Sequence, residues 1–412
     1  MIDFSVPDEI RDVGEGLVEF VRKVVEPLEE EHRDLLEDPR RLYTPDGRYA
    51  PEVVELRHRV RTASAEAGYY NLYGAEELGG AGLGPVAQVY LQALLHRTAG
   101  PERILILDVV TPSAFTNGLS PLLLHLRQEV LQRYVDGIRA GERTLCFALS
   151  EPDAGSDVFA MRSSATRDGD DWILNGTKQW ITNSPYADFC MVFMATDRDE
   201  VARRAGGGVT GFFVDTSLPG FSVPDTIPLM GHLGADIATV NFDGVRVPGD
   251  HVLGEVGKGL QVALGGVSRG RLGLSAGAVG QAEWALAKAV EYSQQRIAFG
   301  KPIAEQQAVQ LLLADSAIDI YAAKNMIWHC AWKVEQGLPA RKETSMAKAF
   351  CTEMLFRVMD RAINVHGAMG LTNELRLEAG LRWARTIRVP DGTAEIQRRT
   401  IARQLLRGDL AL

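Results

Sequence analysis

The chain has 412 residues, a formal net charge of −10 and 46% hydrophobic residues, which is the composition of a folded globular protein with more than one domain. The acidic balance argues against general binding to nucleic acid or to an anionic membrane, and no apolar run approaches the length that spans a bilayer. Four cysteines without a C-x-x-C pair, no histidine pair at zinc-ligand spacing and a first segment without a signal-peptide pattern predict a cytoplasmic protein with no metal site, no membrane insertion and no disulfide framework.

The first third of the chain has the pattern of a helical domain. Apolar residues recur at helical spacing from Val13 to Glu37, which predicts the first helix. Pro51 stands where a first helical turn tolerates its missing N–H, and Gly68 closes the second helix. Further helices are predicted over 86–99 and 121–140, a surface loop over 38–49, and the N-terminal all-α domain as a whole over 1–143.

Strand-forming residues dominate from residue 144 onward. The apolar run from Phe189 to Ala195 has the length and composition of a buried strand. Asn175-Gly176 and Asp243-Gly244 are pairs typical of tight turns, so we expect them to separate strands. These signals predict a middle β domain, either a barrel or a sandwich, over residues 144–253.

Helical periodicity returns after Gly259 and continues almost to the end of the chain. Long helices are predicted over 260–296, 304–336 and 341–366, and a last helix over 393–406. They predict a C-terminal four-helix bundle over residues 254–412. Helices, then a β domain, then a helical bundle is the order of an α+β fold.

The glycine-rich run from Gly79 to Gly84 lacks the context of a Rossmann fingerprint. Such a motif needs a strand before it and a helix at its last glycine. Here Pro85 follows, the spacing differs, and no Walker-type lysine is present in the sequence. A nucleotide cofactor of this protein must therefore use another architecture.

Two segments of the β domain have residues suited to a planar or anionic ligand. From Phe147 to Asp157, glycine, serine and aspartate end a strand, which suits either a cradle of backbone N–H groups or an Asx-rich turn. From Trp180 to Asn183, a tryptophan beside a threonine could stack on a ring and donate a hydrogen bond, or belong to the core. The residue pattern alone leaves both choices open.

Together with other segments in the same order, these two resemble the acyl-CoA dehydrogenase family. Each motif alone is weak evidence, but the resemblance extends over nearly the whole chain. It implies the family's fold of an N-terminal helical domain, a middle β domain and a C-terminal helical bundle. The other segments that carry the resemblance are 73–82, 231–248, 296–307, 364–370 and 390–397.

The resemblance implies FAD as the cofactor and a homodimer or homotetramer in which neighbouring subunits share the cofactor site. It places the two segments of the β domain at the flavin ring, and 296–307 and 364–368 at the FAD of the neighbouring subunit. The cofactor-binding residues that it implies are Phe147, Leu149, Ser150, Gly155, Ser156, Trp180, Ile181, Thr182, Arg296, Phe299, Gln306, Gln307, Asn364, Val365, Gly367, Ala368, Thr393 and Glu395.

The resemblance also implies that the carboxylate of Asp391 is the catalytic base. Oxidation of an acyl thioester needs a base at the α-carbon while a hydride leaves the β-carbon for flavin N5, and a carboxylate in a dry site has the raised pKa for that task. The implied substrate-binding residues are Ser156, Arg271 and Gly392. The alternative is that Asp391-Gly392 is a turn and the N-cap of the last helix.

The sequence departs from the family's pattern at this position. Most members have glutamate where this chain has Asp391, and some have a glutamate on the helix near Arg271, where this chain has Gly270. Aspartate is one methylene shorter, and a displacement of ~1 Å can lower a rate on the order of a hundredfold. The departure leaves the chain length, branching and ring content of the acyl group open.

The function implied is dehydrogenation of an acyl-CoA to a 2-enoyl-CoA in fatty acid metabolism, with an electron-transfer flavoprotein as electron acceptor. Three alternatives remain at this point. A nitroalkane-oxidase-like flavin oxidase would use an aspartate base and reoxidise rapidly in oxygen. A flavin monooxygenase on the same fold would need no base at 391. A binding protein without catalysis would carry no flavin that an acyl-CoA can bleach.

Overall fold

The computed structural model of the protein describes residues 6–113, 118–197, 199–205, 207–230 and 236–410. The chain forms two compact units, each built from separate stretches of sequence. The helical unit comprises Met1–Lys23, Gly84–Leu107 and Ser268–Leu412, and the sheet unit comprises Val24–Leu83 and Asp108–Val267. The division of the chain at 143 and 253 stays a prediction, and residues 231–235 of the 231–248 motif lie outside the described residues.

Helices open and close the chain, and strands occupy its middle, so the α+β fold class is confirmed. The helices are α1 Asp8–Phe20, α2 Glu26–Glu31, α3 Arg33–Leu36, α4 Pro39–Leu42, α5 Pro51–Glu66, α6 Pro85–Ala99, α7 Gln128–Arg139, α8 Glu200–Arg204, α9 Gly259–Gln295, α10 Gln307–Glu335, α11 Arg341–His366, α12 Leu377–Thr386 and α13 Ala394–Leu406. The strands are β1 Leu145–Ala148, β2 Ser164–Asp168, β3 Asp171–Thr182, β4 Phe189–Ala195, β5 Val209–Asp215, β6 Phe221–Ser222, β7 Ile237–Val247, β8 Val252–Leu253, β9 Ile297–Ala298 and β10 Lys301–Pro302.

The sheet unit is organised around strand β4. The strand order is β6-β7-β3-β2-β4-β5-β8, and β1 pairs with β4 in parallel. Every residue of β4 is buried, because alternate side chains enter two separate apolar clusters on the two faces of the sheet. A strand that is buried on both faces has a continuous apolar sequence. The strand predicted from Phe189 to Ala195 is therefore confirmed at both ends.

The two turns predicted inside the β domain are wrong. Strand β3 continues through Asn175-Gly176, and strand β7 continues through Asp243-Gly244. These two pairs lie opposite each other, where the register of β3 on β7 shifts, and the Asn175 side chain accepts a hydrogen bond of 2.9 Å from the N–H of Gly244. The turn-forming residues thus make a β-bulge, which uses the same positive-φ glycines as a turn but leaves the ladder unbroken.

Three predictions about the N-terminal helices need correction. The helix predicted from Val13 to Glu37 is divided into α1, a π-helical turn at Val21–Val25, α2 and α3, and Pro27 occupies the first turn of α2. The helix predicted over 121–140 is a 3₁₀ turn at Pro121–His125 followed by α7, since Leu126 and Arg127 are extended. The loop predicted over 38–49 contains the short helix α4, whose N-cap is Asp38.

In the helical unit, α9, α10, α11 and α12 share one apolar cluster, to which α6 also contributes. Alanines on α9 and α10 are fully buried in this cluster, so the helix backbones approach closely. The predicted long helices are confirmed within a few residues at their ends, whereas α12 was not predicted. It is only ten residues long and contains a glycine, which has a low helix propensity.

The four cysteines Cys146, Cys190, Cys330 and Cys351 are free and buried. Within the described ranges, none of the helices combines the length and hydropathy that a bilayer crossing requires.

Candidate functional site

The loop that follows β1 is fastened to strand β3 by hydrogen bonds. The Ser150 hydroxyl donates to the carbonyl of Gln179 at 2.7 Å, and the Gln179 N–H donates to the carbonyl of Ser150 at 2.9 Å. Phe147 and Leu149 pack half-buried against the apolar cluster that contains Leu145 of β1. Gly155 and Ser156 are exposed in the turn that follows, so their backbone is accessible to a ligand.

A buried ion pair fixes the same loop from inside. Lys178 is fully buried, and its Nζ donates to Glu151 Oε1 at 2.8 Å and to the Leu149 carbonyl at 3.0 Å. Glu151 also accepts from the N–H groups of Arg162 at 2.6 Å and Ser163 at 3.1 Å. Burial acts to raise the pKa of Glu151, but the Lys178 charge and these hydrogen bonds hold it below its usual value. The loop is therefore anchored before and after its exposed turn.

Trp180 lies on an irregular part of β3. Its φ of 66° is in the left-handed region, which is rare for a bulky side chain, and the register of β3 on β7 shifts between Lys178 and Ile181. The irregularity directs the indole outward, with 51% of Trp180 exposed, whereas Ile181 is 1% exposed in the core. Thr182 is half-buried. Among the predicted flavin-face residues, Trp180 and Thr182 thus offer side chains, and Ile181 offers its backbone.

A short hairpin between α9 and α10 presents another predicted cofactor segment. Strands β9 and β10 are joined by Phe299 and Gly300, whose φ angles are 54° and 79°. Phe299 is 95% exposed, so its side chain is hardly covered by the described residues of its own chain. Arg296 and Gln307 are exposed on either side of the hairpin, and Gln306 is the half-buried N-cap residue of α10.

The segment at the end of α11 lies beside this hairpin. The ring of His366 stacks on Tyr292 of the last turns of α9, with 4.5 Å between ring centroids. Asn364, Gly367 and Ala368 are exposed there, while Val365 is 6% exposed and packs in the core. The structure therefore brings 296–307 and 364–368 to the same end of the helical unit.

Asp391 lies in the turn between α12 and α13, in a loop, residues 388–392, that we call the Asp391 loop. Asp391 and Gly392 have φ angles of 56° and 92°. The carbonyl of Asp391 accepts from Arg271 Nε and from Gln397 Nε2, both at 2.9 Å. The carbonyl of Gly392 accepts from the same Gln397 amide at 2.9 Å and from Lys348 Nζ at 2.8 Å. Helices α9, α11 and α13 thus all hold this loop through its backbone.

The carboxyl group of Asp391 is free of such bonds. Its oxygens accept no hydrogen bond, and its N–H donates none, within the described residues. Desolvation raises the pKa of Asp391, against the charges of Arg271 and Lys348, although the residue keeps partial access to solvent. The N-cap of α13 is Thr393, whose hydroxyl accepts from the Ile396 N–H at 3.4 Å. The N-cap interpretation of Asp391 is therefore wrong, while the turn is present.

The predicted site residues of the helical unit fall into two groups. One group is the Asp391 loop with Thr393 and the exposed Glu395, which lies beside Lys348. The other is the 296–307 hairpin with 364–368. Lys348 and His366 lie on one helix, α11, and at 1.5 Å per residue they are about 27 Å apart along its axis. Within one chain, the two groups are not close together.

Sequence analysis missed Lys178, Glu151, Lys348 and Gln397 as residues that hold the candidate site. Lys348 had a usable signal, because it lies on α11 at helical spacing with Thr344, Cys351 and Thr352, all of them buried. A charged residue on the buried face of a helix requires a partner. Gln397 had no such signal, since a glutamine near the start of a terminal helix is ordinary.

Comparison with known families matches two models to the chain. The model described as acyl-CoA dehydrogenase, middle domain, matches residues 146–245. The model described as acyl-CoA dehydrogenase, C-terminal domain, matches residues 257–406. The first range covers most of the sheet from β1 to β7, and the second covers helices α9 to α13.

Individual relatives and solved structures are similar over most of the chain. The mitochondrial short-chain specific acyl-CoA dehydrogenase of Homo sapiens is 37% identical over 332 residues, which are 81% of this chain and 78% of that protein. The caffeyl-CoA reductase-Etf complex subunit CarC of Acetobacterium woodii is 31% identical over 353 residues, 86% of this chain and 91% of that protein. The structure of butyryl-CoA dehydrogenase from Megasphaera elsdenii superposes with a TM-score of 0.81 at 28% identity, covering 98% of this chain and 100% of that chain.

Proposed function

Because this chain belongs to the acyl-CoA dehydrogenase family, a family of FAD-dependent oxidoreductases acting on CH–CH groups, we propose that it oxidises an acyl-CoA thioester to the 2-enoyl-CoA with Asp391 as the catalytic base. The carboxylate of Asp391 takes a proton from the α-carbon. Bound FAD supplies the acceptor for the hydride that leaves the β-carbon. The acyl group itself is left open, and the aspartate base favours one that approaches the loop more closely than a glutamate would require.

One observation carries the role of Asp391: a carboxylate that has a raised pKa and makes no hydrogen bond within the described residues, on a loop fixed through its backbone. A capping or salt-bridged aspartate has a lowered pKa and accepts hydrogen bonds. A base must instead keep its oxygens free and its proton affinity close to the working pH. Asp391 has carboxylate oxygens without a hydrogen bond among the described residues and a pKa that burial raises, and the capping role belongs to Thr393.

The residues of the sheet unit fit a planar cofactor. A half-exposed indole at Trp180, held outward by the backbone, offers a rigid face for stacking on an isoalloxazine ring. Ser150 is fixed in position beside β3, and the exposed backbone at Gly155 and Ser156 offers N–H groups to a carbonyl or an anion. We propose that these residues and Thr182 hold the flavin ring.

For the substrate, we propose that the free N–H of Asp391 donates to the thioester carbonyl. A donor placed there stabilises the enolate-like charge that develops when the α proton leaves. Position 392 requires a glycine, because a Cβ there would lie 2.8 Å from Gln397 Nε2, the amide nitrogen that holds the loop. Ser156 and Arg271 are the proposed contacts of the CoA arm, Arg271 through the guanidinium N–H groups that do not bond the Asp391 carbonyl.

We propose a homodimer or homotetramer in which the hairpin at Phe299 and the segment 364–368 contact the FAD of a neighbouring subunit. The separation of these residues from the Asp391 loop supports two different cofactor molecules. The exposed side of α10 carries an apolar row that a neighbour would cover: Leu311, Ile318 and Tyr321 are 59%, 67% and 72% exposed. Light scattering after gel filtration measures the assembly, and a monomer that binds FAD tightly would contradict it.

An electron-transfer flavoprotein is the proposed electron acceptor, supported by the relative that is named as a subunit of an Etf complex. The proposed compartment is the cytoplasm, supported by four free and buried thiols, which suit a reducing environment.

The oxidase and monooxygenase alternatives are not favoured, because the relatives reported above are named as dehydrogenases or a reductase. Slow reoxidation of the reduced flavin by oxygen is the expected result that excludes them.

The test is anaerobic titration of the flavin-loaded protein with butyryl-, octanoyl- and arylpropionyl-CoA. Loss of flavin absorbance with one of them identifies the acyl class. The variant Asp391→Asn is expected to bind that acyl-CoA and to reduce flavin on the order of 10²- to 10⁴-fold more slowly, since it lacks the base. Asp360→Asn, an exposed position of α11, is the matched control. Unchanged reduction in Asp391→Asn would remove this residue from the mechanism.

A further inference from the structure

Lys348 is a buried cation whose hydrogen-bond partners are backbone carbonyls. It lies in the middle of α11, and none of its surface is exposed. Its Nζ donates to the carbonyl of Arg388 at 2.9 Å and to the carbonyl of Gly392 at 2.8 Å, the two ends of the Asp391 loop. No carboxylate within the described residues forms an ion pair with it. The lysine thus connects the two ends of the loop in which the proposed base lies.

This arrangement costs free energy that an apolar residue would not cost. A buried ammonium without a direct counter-ion is destabilised by desolvation, and its replacement by an apolar residue of similar volume is often neutral or stabilising. Burial lowers the pKa of Lys348 to about 8. A residue kept only for packing would have no reason to carry this charge.

The charged groups around Lys348 come from three other elements. Asp391 in its loop and Glu395 on α13 favour the charged lysine, while Arg271 on α9 and Arg388 in the loop oppose it. Asp391 is the favourable neighbour with the larger effect. Burial raises the pKa of Asp391, and the charges of Arg271 and then Lys348 act to lower it. The two groups therefore influence each other directly.

Gln397 completes the support of the loop. It is fully buried, and both of its carbonyl acceptors, on Asp391 and Gly392, require the NH₂ end of its amide to face the loop. Its Oε1 consequently has no partner within the described residues. An unpaired buried oxygen is itself costly, which shows how strongly the environment imposes this orientation. The left-handed φ of Asp391 is thus maintained by donors outside the loop.

We propose that Lys348 is a positioning residue of the Asp391 loop, and that its ammonium charge keeps the Asp391 carboxyl ionised at working pH. Gln397 shares the first of these tasks but carries no charge. The inference rests on the proposed role of Asp391 as base, and it assigns the tuning of that base to a residue on a different helix.

The test compares Lys348→Met with Lys342→Met in the flavin-loaded protein. Lys342 is a second buried lysine of α11, but its Nζ donates to Asp409 Oδ1 at 2.7 Å, away from the Asp391 loop. Two quantities are measured: the infrared carboxyl titration of Asp391, as the difference from the same protein carrying Asp391→Asn, and the pH dependence of flavin reduction by the panel acyl-CoA that bleaches the flavin.

In Lys348→Met the midpoint of the infrared titration is expected to rise by roughly one pH unit, because an opposite charge close to a carboxylate lowers its pKa by 1–3 units. The acid limb of the rate profile moves by the same amount, and the maximal rate falls about tenfold or more as the loop loosens. Lys348→Arg restores the midpoint, and Lys342→Met leaves it unchanged.

A lower rate with an unmoved midpoint would overturn the tuning role, because a purely structural lysine changes the rate alone. If Lys348→Met does not fold, Lys348→Gln answers the charge question by the same titration. Failure of the proposed function can be told apart from failure of this inference. Flavin reduction that persists in Asp391→Asn would remove Asp391 as the base, whereas the infrared midpoint would still report whether Lys348 sets the charge of that carboxyl.

Discussion

The two units of this protein each bury a lysine beneath a loop of predicted site residues, and the charge of that lysine is compensated differently in each unit. In the sheet unit, Lys178 pairs directly with Glu151, and both have additional hydrogen bonds. In the helical unit, Lys348 donates to two carbonyls and faces Asp391 without bonding it. Both lysines fix a loop. In the sheet unit the Glu151 carboxylate is bound directly to Lys178, whereas in the helical unit the Asp391 carboxylate is not bound to Lys348.

The difference matches what each loop is proposed to do. A loop that holds a cofactor must be rigid. A direct ion pair such as Lys178–Glu151 makes the loop rigid and leaves neither charged group available to react. A loop that holds a base must be rigid in its backbone and free at its carboxylate. Lys348 meets both requirements, because its ammonium group donates hydrogen bonds to the backbone carbonyls and acts on the Asp391 carboxylate only through its charge.

The largest effect that separates the two lysines is expected in stability. Lys178→Met leaves the Glu151 charge buried without its partner, which costs about 3–5 kcal/mol of the free energy of unfolding. Lys348→Met removes a buried cation that forms no ion pair with any described residue, so we expect a clearly smaller loss. Urea titration of both variants measures the difference, and equal losses would show that the two lysines are energetically alike.

The pH dependence of stability should distinguish Lys348 next. Its folded pKa, about 8, is below that of an unfolded lysine, so the folded state binds fewer protons between the two values and stability rises with pH there. The wild-type protein is expected to gain about 1 to 2 kcal/mol relative to Lys348→Met from about pH 7.5 to about pH 9.5, and to lose this gain as pH falls through 8. A constant difference between the two proteins over that range would contradict the lowered pKa.

The smallest effect on stability is expected at the start of α13, where Thr393 caps the helix and Asp391 does not. Thr393→Ala removes the N-cap of that helix and is expected to cost about 1 kcal/mol of stability. Asp391→Asn should change stability by less than this, because its carboxylate caps nothing and its burial is unfavourable. Thermal unfolding compares the two, and a larger loss in Asp391→Asn would return Asp391 to a structural role.

The fold could be predicted from sequence where one physical signal dominated. Strand β4 was found at both ends because burial on two faces leaves no polar residue in it. The bulge between β3 and β7 was mistaken for turns, since Asn-Gly and Asp-Gly serve either geometry, and the partner strand decides. Local sequence does not contain that partner.

The candidate site shows the same limit. The position of Asp391 follows from the family resemblance, but the free state of its carboxylate depends on a loop held through backbone atoms. Arg271 and Lys348, which are distant in sequence, and Gln397, six residues further on, donate to those atoms. Backbone acceptors leave no trace in the residue types of the loop that they belong to. The identity of the supporting donors therefore required the tertiary structure.

Helix α11 has a further consequence for what changes the chain tolerates. Its sequence from Arg341 to His366 contains neither proline nor glycine, so it behaves as a rigid rod with a fixed length and phase. One extra residue between Lys348 and Asn364 would turn the far end by about 100° and displace it by about 1.5 Å. Substitutions on its outer side leave the spacing of its two ends intact. An insertion or deletion would instead misalign the segment at Asn364 with respect to Lys348 and the loop that it holds, in every copy of the chain.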